Sequence, residues 1–188
     1  MKIKMLFIVF GIGLVFLMGC SPNEVHNNNL SVTTSAEAIP MTKDSLLICS
    51  MLDSFNVAAA HADFEKYFGF YADEATFLGT DATENWNKKE FMVWAKPFFD
   101  RGNAWSFTSI DRHVYFHPAG EIAWFDELLD TQMKICRGSG VLVKQGNDWK
   151  IQQYVLSMTI PNSHTNEVVG IKSLIEDSLI RQLSGPTD

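Results

Sequence analysis

Two adjacent acids in an aromatic run, Asp126 and Glu127 of Ala123-Trp124-Phe125-Asp126-Glu127, are the residues in this chain best suited to chemistry. A carboxylate buried among aromatic rings loses its water, its pKa rises, and it can then exchange a proton near neutral pH. Side chains alternate along a strand, so Trp124, Asp126 and Leu128 share one face and Phe125, Glu127 and Leu129 the other. Asp126, which travels with Trp124, is the candidate catalytic acid or base. Glu127 is a candidate ligand contact, or one half of a structural ion pair. Arg137 precedes Gly138-Ser139-Gly140 and has two compatible roles, clamping a ligand carboxylate or neutralising Asp126 or Glu127 on the neighbouring strand. The glycines beside it let something approach the backbone closely, or let the sheet bend.

Further candidates surround these. Asp81 and Trp86 fall on a loop where a pocket would have its rim, Asp81 capping a turn and Trp86 closing the opening. Gln153 and Tyr154 point opposite ways, so one of them lines a cavity. The aromatics Phe77, Trp86, Trp94, Phe98, Trp105 and Trp124 suit a small, partly apolar molecule, although such residues also simply fill cores. Other chemistries lack their patterns. His113 and His117 stand four residues apart, about 13 Å along a strand, too far to share one ion. No HExxH, paired-cysteine, nucleophile-elbow or glycine-rich phosphate motif occurs in the sequence, so neither a metal nor a cofactor is expected.

The elements that must position these residues are legible in the periodicity. From Thr42, apolar residues at three- and four-residue steps (Ile48, Leu52, Phe55, Ala59) predict an amphipathic helix capped by Thr42 or Asp44. A short helix over Phe64–Phe68 and a strand over Glu74–Gly79 follow. Asn87 and Glu90 form a capping box for a third helix, which Gly102 stops. The period then becomes alternating, with strands over Trp105–His117, Ile122–Leu129, Met133–Lys144 and Trp149–Ile160. Turns lie at Pro118–Gly120 and Gln145–Asp148, and Pro161 ends the last strand. On strict alternation, Trp149, Ile151 and Val155 lie on one side of that strand and Tyr154, Leu156 and Met158 on the other. Both sheet faces then need cover, one from the helices and the other from a partner subunit or an amphipathic helix in the tail after Gly170. This is an α+β order: N-terminal helices on a curved antiparallel sheet, forming a cone with a hollow mouth, plus an extra C-terminal helix.

The first residues are a different kind of segment. Lys2 and Lys4 precede an apolar stretch, Met5 to Met18, that is short for a spanning helix and fits a secretory leader. It ends in Leu17-Met18-Gly19-Cys20, which resembles the lipobox of bacterial lipoproteins. The resemblance implies cleavage before Cys20 and lipidation of that cysteine, anchoring the chain to a bacterial envelope membrane and facing the periplasm or the exterior. The expected layout is a signal peptide over 1–19, a tether rich in Ser, Thr and Asn over 20–41, the domain over 42–162 and an extension over 163–188. Loss of Lys2 and Lys4 takes the net charge from −7 to −9, which argues against nucleic acid as a partner. Cys49 and Cys136 sit in apolar helix and strand patterns, as buried free thiols do, although an oxidising compartment would permit a bridge.

The order and spacing of Phe77-Leu78-Gly79-Thr80-Asp81, Trp86, Phe98-Phe99-Asp100-Arg101-Gly102, Ala123–Glu127, Cys136–Leu142 and Trp149-Lys150-Ile151 resemble the SnoaL-like branch of the nuclear transport factor 2-like superfamily. The resemblance spans about Leu46 to Asn162. It implies a cone-shaped α+β fold, commonly a homodimer packed through its sheets, with members that bind small molecules in a pocket or act as cofactor-free isomerases or dehydratases. The Tyr-and-Asp oxyanion pair of the ketosteroid isomerases in that superfamily has no residue-by-residue match here. Fold alone does not choose among these roles, and a sheet-mediated protein-interaction module is a further possibility.

Overall fold

The computed structural model describes residues 42–102 and 104–185. The leader, the tether and Cys20 lie outside the described residues. In chain order the elements are α1 (Lys43–Ala60), α2 (Phe64–Gly69), β1 (Tyr71–Leu78), β2 (Asn85–Asn87), α3 (Lys88–Asp100), β3 (Thr108–Phe116), β4 (Ile122–Thr131), β5 (Lys134–Gln145), β6 (Asp148–Met158) and, after a 3₁₀ turn at Asn162–His164, α4 (Thr165–Ser184). The strands form one sheet in the order β2-β1-β6-β5-β4-β3. Every pairing is antiparallel except β1 with β6, so the sheet is mixed rather than purely antiparallel.

Local chemistry accounts for the helix ends. Thr42 accepts a hydrogen bond from the Ser45 amide at the start of α1. Asn87 and Glu90 satisfy each other's backbone amides in a complete capping box at α3. Replacing Asn87 with Ala removes one half of that box and is expected to cost about 1 kcal/mol, read as a lowered midpoint in urea at constant slope. Gly102 ends α3 with φ +75°, a conformation in which any other side chain would be strained.

Helices α1–α3 cover one face of the sheet, and the core lies between them. Ile48, Leu52 and Phe55 of α1 meet Phe125, Leu129, Leu142 and Ile151 there, all essentially buried. Each such side chain contributes about 1.5–3 kcal/mol by leaving water. The inward positions on β4 are Ala123, Phe125, Glu127, Leu129 and Thr131; on β5 they are Cys136, Gly138, Gly140 and Leu142.

Two departures from regular alternation change the expected parity. On β6 the register shifts, with Val141 opposite Gln153 but Leu142 opposite Ile151. The extra residue is a β-bulge, and it brings Trp149, Ile151, Tyr154 and Leu156 all to the buried face. Strict alternation had put these on opposite sides. A second shift at Ile110 on β3 sets Arg112, Val114 and Phe116 inward, opposite Glu127, Phe125 and Ala123.

The C-terminal helix begins at Thr165 rather than in the segment after Gly170, and none of its residues is buried. It therefore does not supply the cover expected for the outer sheet face, where Trp124, Ile135 and Met158 remain exposed. Among the described residues no helix is long and apolar enough to cross a membrane.

Candidate functional site

Parity along β4 decides the question posed by the two acids. Asp126 lies on the outer face, with its carboxylate 3.4 Å from His113 Nδ1 and open to solvent. Trp124 is on the same outer face, 43% exposed and stacked on Tyr115 at 5.8 Å. Arg137 is exposed there too. The expectation that Asp126 accompanies a pocket is thus corrected: the aromatic beside it belongs to the outside of the sheet. Glu127 is the inward acid, with no exposed side-chain surface.

Glu127 is held by a partner that the sequence reading did not select. Arg112 Nε donates to Glu127 Oε2 at 2.8 Å, and Nη2 lies 2.7 Å from the same oxygen. Arg112 Nη1 also donates to the Cys49 carbonyl at 3.1 Å and to Asp53 at 2.8 Å, tying β3 and β4 to α1. Burial alone would lower the Arg112 pKa, but the charges of Glu127 and Asp53 more than offset this and raise it. Arg137, one candidate partner, lies on a neighbouring strand, yet the residue opposite Glu127 is Gly138, and Arg137 faces the other side of the sheet. The signal for Arg112 was its alternation with Val114 and Phe116.

Above Glu127 stands Tyr154, whose hydroxyl donates to Glu127 Oε1 at 3.4 Å. Gly138 makes this possible: a Cβ there would sit 2.6 Å from the Tyr154 hydroxyl oxygen and 3.1 Å from Glu127 Cγ. A Cβ on Gly140 would meet the Gln153 carbonyl at 2.2 Å and the Phe125 ring at 2.8 Å. The close approach predicted for these glycines is made by the protein's own side chains and bulge.

Tyr154 also lines a cavity of about 210 Å³ between the helices and the sheet. Its walls include Phe77, Phe91, Trp94, Phe98 and Trp105, with Glu84 at the side. Of the expected aromatic lining, Phe77, Trp94, Phe98 and Trp105 are brought together here. Trp86, on β2, stands behind this wall, stacked on Phe77 at 6.2 Å and 4.9 Å from Trp94 between ring centroids. Trp124 is on the far side of the sheet. Asp81 is exposed and accepts from the Thr83 hydroxyl at 2.6 Å and amide at 2.9 Å, which holds its pKa below the ordinary value. It builds the loop rather than the pocket.

Tyr67 and Tyr71 escaped the sequence reading. Tyr67 lines the cavity, and its hydroxyl lies 3.4 Å from that of Tyr71. Burial pushes the phenols of Tyr67, Tyr71 and Tyr154 well above their ordinary pKa, and the neighbouring Glu127 charge adds to this at Tyr154. In the unfolded chain each phenol ionises near 10. The folded state therefore retains these protons longer, and the stability they contribute is present below about pH 10 and lost as pH rises above it. An absorbance titration at alkaline pH should show three of the four tyrosines ionising only together with unfolding. Stepwise ionisation with the fold intact would contradict this burial. Cys49 and Cys136 are both free thiols.

The model of the SnoaL-like domain family matches residues 48–161. The chain belongs to that family. This SnoaL-like domain also shares its fold with solved structures. One is a domain of unknown function with a cystatin-like fold from Nostoc punctiforme PCC 73102, at a TM-score of 0.56 and 15% identity over 77% of this chain and 94% of that one. A candidate dehydratase of the NTF2-like family from Streptomyces avermitilis gives a TM-score of 0.54 and 14% identity over 63% and 97%. An NTF2-like protein from Cytophaga hutchinsonii ATCC 33406 gives 0.52 and 13% over 63% and 100%. No curated protein matches the SnoaL-like chain. At these identities the likeness concerns the fold.

Proposed function

We propose that this SnoaL-like domain binds a small, partly apolar molecule in the cavity above Tyr154, and that Cys20 carries the lipid that holds it at an envelope membrane. The observation that carries the reading is the cavity itself: an aromatic enclosure with a few polar groups, on the helix-covered side of the sheet. At about 210 Å³ it falls below the roughly 300–1,000 Å³ of pockets for drug-sized molecules, which suits a small ligand. A thermal-shift screen of small apolar molecules tests this, using Met133→Trp, which adds a bulky ring to the cavity lining, as control. The reading predicts a stabilising compound whose effect disappears in that variant. If no compound stabilises the protein, or if the effect survives in Met133→Trp, the cavity is not the site. Lipidation is tested separately by palmitate incorporation, expected in the natural chain and absent in Cys20→Ala.

Binding is favoured over isomerase or dehydratase chemistry run from β4 by where its two acids lie. Asp126 is outside, and Glu127 is already engaged by Arg112 behind the Tyr154 ring. Replacing Asp126 with Asn is expected to leave ligand binding unchanged. A homodimer through the outer sheet face is the second part of the proposal, supported by Ile110, Tyr115, Trp124 and Ile135, all more than two-fifths exposed on neighbouring strands. Sedimentation of the domain should show a dimer that Trp124→Lys converts to a monomer.

A further inference from the structure

We infer that the cavity selects an organic cation, an amine or quaternary ammonium carrying a small apolar group. This rests on the cavity being the binding site and adds the charge of its occupant. Two of the polar groups that line it, Tyr154 and Glu84, are set as acceptors, beside Thr80, Gln132 and the indoles of Trp94 and Trp105. Tyr154 commits its proton to Glu127, so what it offers the cavity is oxygen lone pairs. Glu84, half-buried, is the carboxylate at the wall. Its Oε2 occupies the space where a Cβ on Gly79 would lie, 2.0 Å away, so the absence of a side chain at Gly79 gives it room. No Lys, Arg or His is among the described residues lining the cavity.

Two further features point the same way. The aromatic walls present ring faces, which attract cations electrostatically. Phe98 shows this already, with the exposed Arg101 guanidinium 4.8 Å from its ring centroid. Arg101 lies outside the lining set at the solvent-exposed end of α3, where water and salt screen its charge. Below the floor, Arg112 is shared between two carboxylates, Glu127 and Asp53, so this cluster of three charges is net negative.

The test uses the full chain and a matched pair of probes, benzyltrimethylammonium and its uncharged carbon isostere neopentylbenzene. Binding is followed by the change in total tryptophan emission, to which Trp94 and Trp105 in the lining contribute, with calorimetry for the affinities. The cation should bind at least about tenfold more tightly than the isostere. Glu84→Gln should shrink that ratio several-fold while leaving the isostere's affinity unchanged. Gly79→Ala, which displaces the Glu84 carboxylate without removing it, should act in the same direction, and circular dichroism confirms that both variants fold. Equal or tighter binding of the neutral isostere would overturn the charge preference and leave pocket binding standing. If neither probe binds, both the preference and the cavity assignment fail.

Discussion

Arg112→Ala is expected to be the most damaging single substitution in the domain, costing about 3–5 kcal/mol and lowering the melting temperature by roughly 10–20 °C. The reason lies in what it leaves behind. Glu127 has no exposed side-chain surface, and without Arg112 its remaining hydrogen bond is the long one from Tyr154. A buried carboxylate with so little compensation must either be stabilised poorly as an anion or take up a proton, and both routes lose stability. The pair is not thereby a large net contributor, because burying both ions has already cost most of their attraction. The double variant Arg112→Met with Glu127→Leu should therefore recover much of the loss. Calorimetric melting of the two variants checks this; a double variant no more stable than Arg112→Ala would show that the pair itself is worth more than the argument allows.

Gly138→Ala carries the second large effect. The added methyl arrives 2.6 Å from the Tyr154 hydroxyl oxygen and 3.2 Å from Glu127 Oε1, atoms that are packed on their other sides. Overpacking of this kind costs about 1–3 kcal/mol. Here it also turns the phenol away from its carboxylate, so ligand affinity should fall with stability. Tyr154→Phe removes the atom that the new methyl strikes. In that background Gly138→Ala should cost clearly less, giving a coupling measurable in a double-mutant cycle by denaturant unfolding. Additive costs would mean that the clash is relieved elsewhere, by a shift of β5.

Much of this architecture was legible in the sequence because its signals are local. Helix periodicity, the Asn87–Glu90 box, the positive-φ glycines at Gly102 and Gly146 and the alternating strands each depend on a few neighbouring residues. The site was harder to read for two physical reasons. A single bulge on β6 reverses parity for every residue beyond it, so Trp149 and Tyr154 share a face that counting by twos separates. Ion pairing depends on register between strands, which a single sequence does not encode locally. Arg137 and Arg112 were both within a strand of Glu127, and only the register against β3 puts Arg112 opposite it. Glu84 was invisible for a related reason: its closeness to the cavity comes from a loop folding over Gly79. The cone followed from the order of the elements, and four of the six expected lining aromatics, Phe77, Trp94, Phe98 and Trp105, are in the cavity wall. Which acid faced inward required the fold.

That inward face carries the proposal that the cavity holds an organic cation. A crystal structure of the domain grown with saturating benzyltrimethylammonium should show the ligand between Trp94, Trp105 and the Tyr154 hydroxyl, its cationic end turned toward Glu84. Ligand density confined to the outer sheet around Trp124, or a cavity that stays free of the compound at saturation, would contradict it.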